Sequence, residues 1–237
     1  NETVLVRNEY WEPESDDART ADYDRIVFRQ SQNPSTVAQT LISDVGDAQD
    51  SINSSPLSAS ELALVDADPA AAERLITSDG GLQFYVALNN DSEELDDILV
   101  RQAVQYAVDR DAIVLALGGE EAAVATTTVI PNGITGHEES DLYPRDVDKA
   151  KELLAEAGYA DGVTLDLWVA NEDTAAAEAL QQGLAEANIT VNINPLDLGV
   201  MYGDAMGGNP AYDMFLSYWI GDYPSPGQSS MTEPRDL

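Results

Sequence analysis

Leu82, Phe84, Val86 and Leu88 alternate with Gln83, Tyr85, Ala87 and Asn89, and this period of two predicts a strand with distinct faces. An acidic loop follows, and then the period changes. Val100, Ala103, Val104, Ala107 and Val108 recur at helical spacing, so a helix with one buried stripe is expected, opened by Asp96 or Asp97 as its cap. Asp111 is placed to cap a second short helix ending at Gly118-Gly119. "TTTVIPNGITGHEESDLYP" then reads as a long connection containing His137. Pro144 stands at the head of "RDVDKAKELLAEAGY", whose Val147, Ala150, Leu154 and Ala157 share one helical face and whose Gly158 supplies a stop.

From residue 163 the alternation is regular. A strand over Val163–Ala170, a helix over Thr174–Ala187 with Asn188 as a left-handed cap, and a strand over Thr190–Pro195 are expected. A short helix over Val200–Met206 and an apolar strand over Tyr212–Trp219 complete the series. Strand, helix, strand in repetition implies parallel strands joined by crossovers, hence an open α/β sheet. The first ninety residues alternate short strands ("TVLVRNEYW", "DRIVFRQ") with helices. Asn33-Pro34 opens one of these helices, running to Asp44 with Gly46 as a stop. Ser58 and Glu61 form the S-x-x-E spacing of a capping box that starts another, ended by Pro69.

Composition narrows what such a sheet can serve. A chain of 237 residues, 43% hydrophobic, can bury one large core or two modest ones. Eleven basic against 44 acidic residues leave a net charge of -33, a field that repels nucleic acid and anionic membrane surfaces. The acids are spread along the chain, as on the hydrated surface of a secreted or salt-adapted protein, and simple solubility accounts for them equally well. No cysteine is present, so disulfides, iron-sulfur clusters and thiol catalysis are excluded. His137 is the only histidine, which leaves no His-rich metal site and no Ser-His-Asp triad within the chain. As a lone loop histidine it reads first as a surface residue. No apolar run reaches the roughly 18 residues of a membrane span. The chain starts at Asn1 without Met, which suggests a processed or excised segment.

In open α/β sheets ligands sit beyond the carboxyl ends of the strands. For the last strand that end is "WIGDYPSP", where Trp219 offers a stacking surface, Asp222 an anion and Tyr223 a phenol beside the Pro224-Ser225-Pro226 turn. An aspartate there favours an amine. The structural alternative is that Trp219 is core and Asp222 caps a turn. "LALGGEE" and "AMGGNP" match neither a P-loop nor a G-x-G-x-x-G fingerprint and read as helix ends. "NNDSEELDD" lacks the order and glycine of an EF-hand and reads as a solvated loop.

Taken in order, "VRNEYW", "DRIVFR", "FYVALNN", "LDDILVRQAVQYAVDRDAIV", "VIPNGITG", "YPRDVDKAKELLAEAGY", "AEALQQGLAEANI" and "YDMFLSYWIGDYPSP" resemble the family 5 extracellular solute-binding proteins. These are the dipeptide and oligopeptide receptors of ABC importers. The resemblance implies a periplasmic-binding-protein-like (type II) α/β fold, two lobes with a mixed sheet and flanking helices, of which this chain is a central portion. It implies part of lobe one in residues 1–88, lobe two in 89–221 and a return crossing in 222–237. Asn89, Asn90 and Gly221 would be hinge positions. Asp222 looks like the acid that pairs with a ligand α-amine, with Trp219, Tyr223 and Ser225 lining the cleft. Many relatives carry an acid at the Ser225 position, and some oligopeptide binders a base at the Leu216 position. A small solute or short peptide and an ABC transporter permease are the implied partners, with no catalytic residue, metal, cofactor or nucleic acid. The implied location is extracytoplasmic, periplasmic or as a cell-surface lipoprotein, with membrane attachment only through an N-terminal anchor outside this chain. A receptor for a sugar or nickel complex, a carboxylate-dependent hydrolase and a ligand-independent interaction module are the alternatives.

Overall fold

The computed structural model describes residues 2–20, 22–30, 33–53, 57–77, 82–120, 122–206 and 211–221, and the chain divides into two compact units, residues 1–75 and 76–237. In the first unit β1 (Glu2–Val6) pairs antiparallel with β2 (Arg25–Arg29), Val4 opposite Val27. The ribbon is shorter than the apolar runs that predict it. Three helices follow: α1 (Pro34–Ser43), α2 (Ala59–Asp66) and α3 (Pro69–Ala72). The Asn33 side chain accepts from the Thr36 amide to open α1, and Asp44 closes it in the left-handed conformation at φ 50°. The capping box of α2 forms as its spacing predicts: Ser58 accepts from the Glu61 amide, and Glu61 accepts from the Ser58 amide at 2.8 Å. Pro69 does more than end α2. It occupies the first turn of α3, where its missing N–H is no loss, with Asp68 capping the Ala70 and Ala71 amides. Arg74 donates to the Leu41 and Ile42 carbonyls at 2.7 and 3.1 Å, satisfying the open end of α1.

The second unit is built on a four-stranded sheet in the order β3-β6-β4-β5. β3 (Leu82–Leu88) runs antiparallel to β6 (Met214–Ile220), while β4 (Val163–Ala170) is parallel to both β6 and β5 (Ile189–Leu196). The sheet is therefore mixed. β3 is hydrogen-bonded to β6 along its whole length and belongs to this second unit, not with the first 75 residues.

Strand alternation sends two apolar faces in opposite directions. Phe84, Val86, Leu88, Val163, Leu165, Leu167, Ile189, Val191, Met214 and Leu216 pack against helices α4 (Ile98–Ala107), α6 (Val147–Glu156) and α7 (Thr174–Ala185). Each fully buried Leu or Ile there contributes about 1.5–3 kcal/mol relative to exposure. The α4 stripe is buried at Val100, Ala103, Val104 and Ala107, and Asp97 is the cap that forms, accepting from the Leu99 amide. α5 (Arg110–Ala116) is capped by Asp109, which accepts from the Ala112 amide, rather than by Asp111, which lies in its first turn. The helix accordingly starts one residue before Asp111. On the opposite face Ala87, Trp168, Ala170, Leu196 and Phe215 are covered by Leu198, Met201 and Tyr202 of α8 (Leu198–Met206).

Candidate ligand-binding site

Because β4, β5 and β6 are mutually parallel, their carboxyl ends reach the same edge of the sheet. Each is followed there by a different piece of chain. β4 passes into a 3-10 turn, Asn171–Asp173, that leads into α7. β5 passes through Asp197, whose carboxylate accepts from the Gly199 amide at 3.0 Å, into α8. β6 ends at Ile220 and Gly221.

An open concavity of about 350 Å³ lies at this edge, lined by Tyr202, Tyr218, Trp219 and Ile220. Trp219 and Ile220 are 36% and 55% exposed, so Trp219 is not a core residue. Large apolar side chains left accessible in a concave wall are what a ligand can cover. Tyr202 is held in place: its hydroxyl lies 2.6 Å from the hydroxyl of buried Ser217 and 3.5 Å from the Tyr218 carbonyl, and its ring meets Phe215 edge-on at 5.5 Å. Tyr212 continues the aromatic layer, 5.1 Å from Trp168 and 5.7 Å from Phe215. Desolvation pushes the Tyr218 phenol up, and Tyr202, Asp173 and Glu172 add to that rise through their proximity. Burial likewise pushes the Asp173 carboxyl above its ordinary range, with Glu172 as the lesser cause. Asp173 stands at the N-cap of α7 yet makes no capping bond, so its carboxylate is not engaged by the helix.

Of the residues expected in the site from the sequence, Trp219 lies in the wall and Gly221 directly follows β6, while Asp222, Tyr223 and Ser225 are outside the described residues. Leu216 is buried on the helix-facing side of the sheet opposite Val86. Asn89 donates from its backbone to the Asp213 carbonyl at 2.8 Å and from its side chain to the Tyr212 carbonyl at 2.9 Å, tying the end of β3 to the start of β6. Asn90 is exposed beside it. Leu82 pairs with Ile220 and Leu88 with Met214, so Asn89 and Asn90 lie at the far end of the β3–β6 ladder from Gly221. At about 3.4 Å per residue the two groups are about 27 Å apart. Tyr202, Tyr218, Glu172 and Asp173 escaped notice in the sequence. Their signal was position: each closes or directly follows a strand that ends at this edge, or sits in the helix after one.

This architecture is that of a type II periplasmic binding protein, an α/β fold with a mixed sheet and flanking helices. Residues 1–232 match the model of the bacterial extracellular solute-binding proteins, family 5 middle, and the chain belongs to that family. It is 31% identical over 159 residues to a glutathione-binding protein, GsiB, of Salmonella choleraesuis strain SC-B67, covering 65% of this chain and 31% of the relative. To the GsiB of Escherichia coli O1:K1 / APEC it is 28% identical over 224 residues, 93% of this chain and 41% of the relative. Among solved structures, the periplasmic binding protein DppA of Helicobacter pylori, in complex with the peptide STSA, superposes with a TM-score of 0.77 at 24% identity, covering 96% of this chain and 42% of that one. The chain thus spans less than half the length of these proteins.

Proposed function

We propose that this chain is part of the extracytoplasmic receptor of an ABC importer, which captures a peptide-like solute between two lobes and hands it to a membrane permease. The observation that carries the reading is the aromatic concavity at the carboxyl end of β6, walled by Tyr202, Tyr218 and Trp219. It lies where an α/β sheet offers strand ends and helix starts to a ligand. The relatives named for glutathione and the neighbour holding STSA direct the choice toward peptides. Asp222 is the proposed anchor for a ligand amine, with Tyr223 and Ser225 beside it; it follows Gly221 directly in sequence. In this reading the protein binds and releases without catalysis, and its carboxylates serve charge rather than acid-base chemistry.

The test is calorimetric titration of the full-length parent with di- to pentapeptides, glutathione, amines and sugars, repeated with Asp222→Asn. The expected outcome is peptide binding that the substitution weakens by more than about tenfold, or about 1.4 kcal/mol. Binding of sugars alone, indifferent to Asp222→Asn, would overturn both the peptide and its anchor. Turnover of a peptide or glycoside that one acid substitution abolishes would overturn the receptor.

A further inference from the structure

The acidic loop between β3 and α4 carries a pattern that ligand capture does not use. Asn90-Asp91-Ser92 fits N-x-S/T with a residue other than Pro in the middle, the acceptor sequence for N-linked sugars. Asn1-Glu2-Thr3, Asn53-Ser54-Ser55 and Asn188-Ile189-Thr190 fit it too, whereas Pro34 disqualifies Asn33-Pro34-Ser35. The stretches at Asn1 and Asn53 lie partly outside the described residues, which leaves Asn188 for comparison. Asn90 and Asp91 form an exposed turn held at its base by Asn89. The Asn89 backbone and side chain donate to the Asp213 and Tyr212 carbonyls, its Oδ1 accepts from the Asp91 amide at 3.1 Å, and its carbonyl accepts from the Ser92 amide at 3.2 Å. Every polar group of Asn89 is thus engaged, while the Asn90 side chain has no partner among the described residues. Ser92 adds an independent observation, because its Oγ is buried without a hydrogen-bond partner. A buried hydroxyl left unpaired costs stability, and Ala would fill the position without that cost. Packing gives no reason for a hydroxyl at 92; the acceptor pattern does, since it requires one two residues after the asparagine. Around Asn188 the same pattern is locked into the sheet: Ile189 is 0% exposed, Thr190 pairs with Thr164, and the Asn188 carbonyl accepts from the Val163 amide.

We propose that Asn90 is an acceptor for an N-linked oligosaccharide, transferred from a lipid-phosphate carrier by a membrane oligosaccharyltransferase outside the cytoplasm. In the transfer the Asn90 Nδ2 attacks the anomeric carbon of the first sugar. An N–C bond forms, the C–O bond to the carrier breaks, the lipid phosphate leaves with the electron pair, and the amide proton passes to a base of the transferase. This rests on the reading of the chain as part of an extracytoplasmic receptor, since the acceptor pattern belongs to surface loops of exported proteins. Opening the turn to present Ser92 gives up the bond from its amide to the Asn89 carbonyl but none from its hydroxyl. The position also spares the ligand. Asn90 follows the end of β3 where Leu88 pairs with Met214, opposite the end where Leu82 pairs with Ile220 of the concavity, so a bulky, hydrated sugar there leaves the aromatic wall open.

The test is mass spectrometry of the full-length parent isolated from the cells that naturally produce it, with Ser92→Ala, Ser92→Thr and Asn90→Gln expressed in the same cells. Trypsin cuts after Arg74, Arg101, Lys151 and Arg235, so Asn90 and Asn188 fall in separate peptides, 75–101 and 152–235. Peptide 75–101 is expected to carry an added sugar mass in most molecules, placed on Asn90 by electron-transfer fragmentation, and Asn188 to stay bare. Ser92→Thr should keep the sugar, and Ser92→Ala and Asn90→Gln should lose it. Ser92→Ala removes only a hydroxyl without a partner, and Asn90→Gln changes an exposed turn, so both variants keep the fold, which circular dichroism checks. Fractionation of the same cells separates the two readings. A parent found outside the cytoplasm with peptide 75–101 unmodified, with sugar on Asn188 but not Asn90, or with a sugar that survives Ser92→Ala overturns the acceptor site and leaves the receptor standing. A parent confined to the cytoplasm and free of sugar overturns both.

Discussion

His137 shows how much a single side chain does once its neighbours are known. The sequence offers only a lone histidine in a long connection, which reads as a surface residue. In the fold its side chain is 18% exposed, with Nδ1 2.6 Å from the Ile130 carbonyl and Nε2 3.1 Å from a Glu139 carboxylate oxygen. Only the protonated ring donates in both directions. The Ile130 carbonyl first and Glu139 second raise its pKa above the ordinary 6.5, while the bond to His137 foremost, and one from Thr127, lower that of Glu139 below 4.5. A raised histidine pKa means a contribution fully present below about pH 6.5 that is lost as pH rises through the folded value. A lowered glutamate pKa means one present above 4.5 and lost as pH falls. Amide protection across residues 126–140, corrected for intrinsic exchange, is therefore expected to be greatest between these limits and to decline on the alkaline side. His137→Gln should flatten the profile. A wild-type profile already flat across neutral pH would refute the bridge.

At the scale of elements, what ends a helix matters as much as what fills it. α7 ends at Ala185 with Glu186 as its C-cap, two residues before the expected end; the chain then turns through Asn188 at φ 63°, whose carbonyl accepts from the Val163 amide at 3.2 Å and joins this turn to β4. Gly162 passes this carbonyl at φ +104°, so close that a Cβ would overlap the oxygen. Gly158, at φ +96°, has nothing within 4 Å of the same added atom. Gly158→Ala carries only the left-handed penalty of about 1–2 kcal/mol. Gly162→Ala adds a collision with backbone that cannot rotate away, for a total of about 3 kcal/mol or more. Urea unfolding of the two variants separates them, and equal losses would refute the close approach. The left-handed conformation of Asn188 was legible in sequence, though the cap of α7 is Glu186. The crowding at Gly162 was not, because it depends on which carbonyl comes alongside.

The whole molecule carries a net charge of -33, and the ion pairs among the described residues are largely exposed, such as Arg29 with Glu2 and Asp47. Exposed pairs contribute about 0–1 kcal/mol each and cannot offset repulsion on this scale. Screening should therefore stabilise the fold: Tm is expected to rise from about 0.1 M to 1 M salt as the Debye length shortens from about 10 Å to 3 Å. Sodium chloride and potassium chloride should act alike at equal ionic strength if screening is the cause. A Tm unchanged by salt would show that the acids are spaced beyond mutual repulsion.

Local pattern was enough to predict β3, β4, the α4 stripe, the α2 capping box and the left-handed Asn188, because periodicity, caps and backbone conformation involve residues within a turn or two of each other. It was also enough for the family resemblance and for Trp219 as a strand-end residue. Which acid caps α5, and Pro69 starting α3 rather than simply ending α2, were settled by competition between neighbouring residues that spacing alone does not rank. The antiparallel union of β3 with β6, the burial of Leu216, the separation of Asn89 from Gly221 and the meeting of Tyr202 with Ser217 required the tertiary structure. Each depends on strand order and register, which bring together residues far apart in the chain and send alternate side chains to opposite faces.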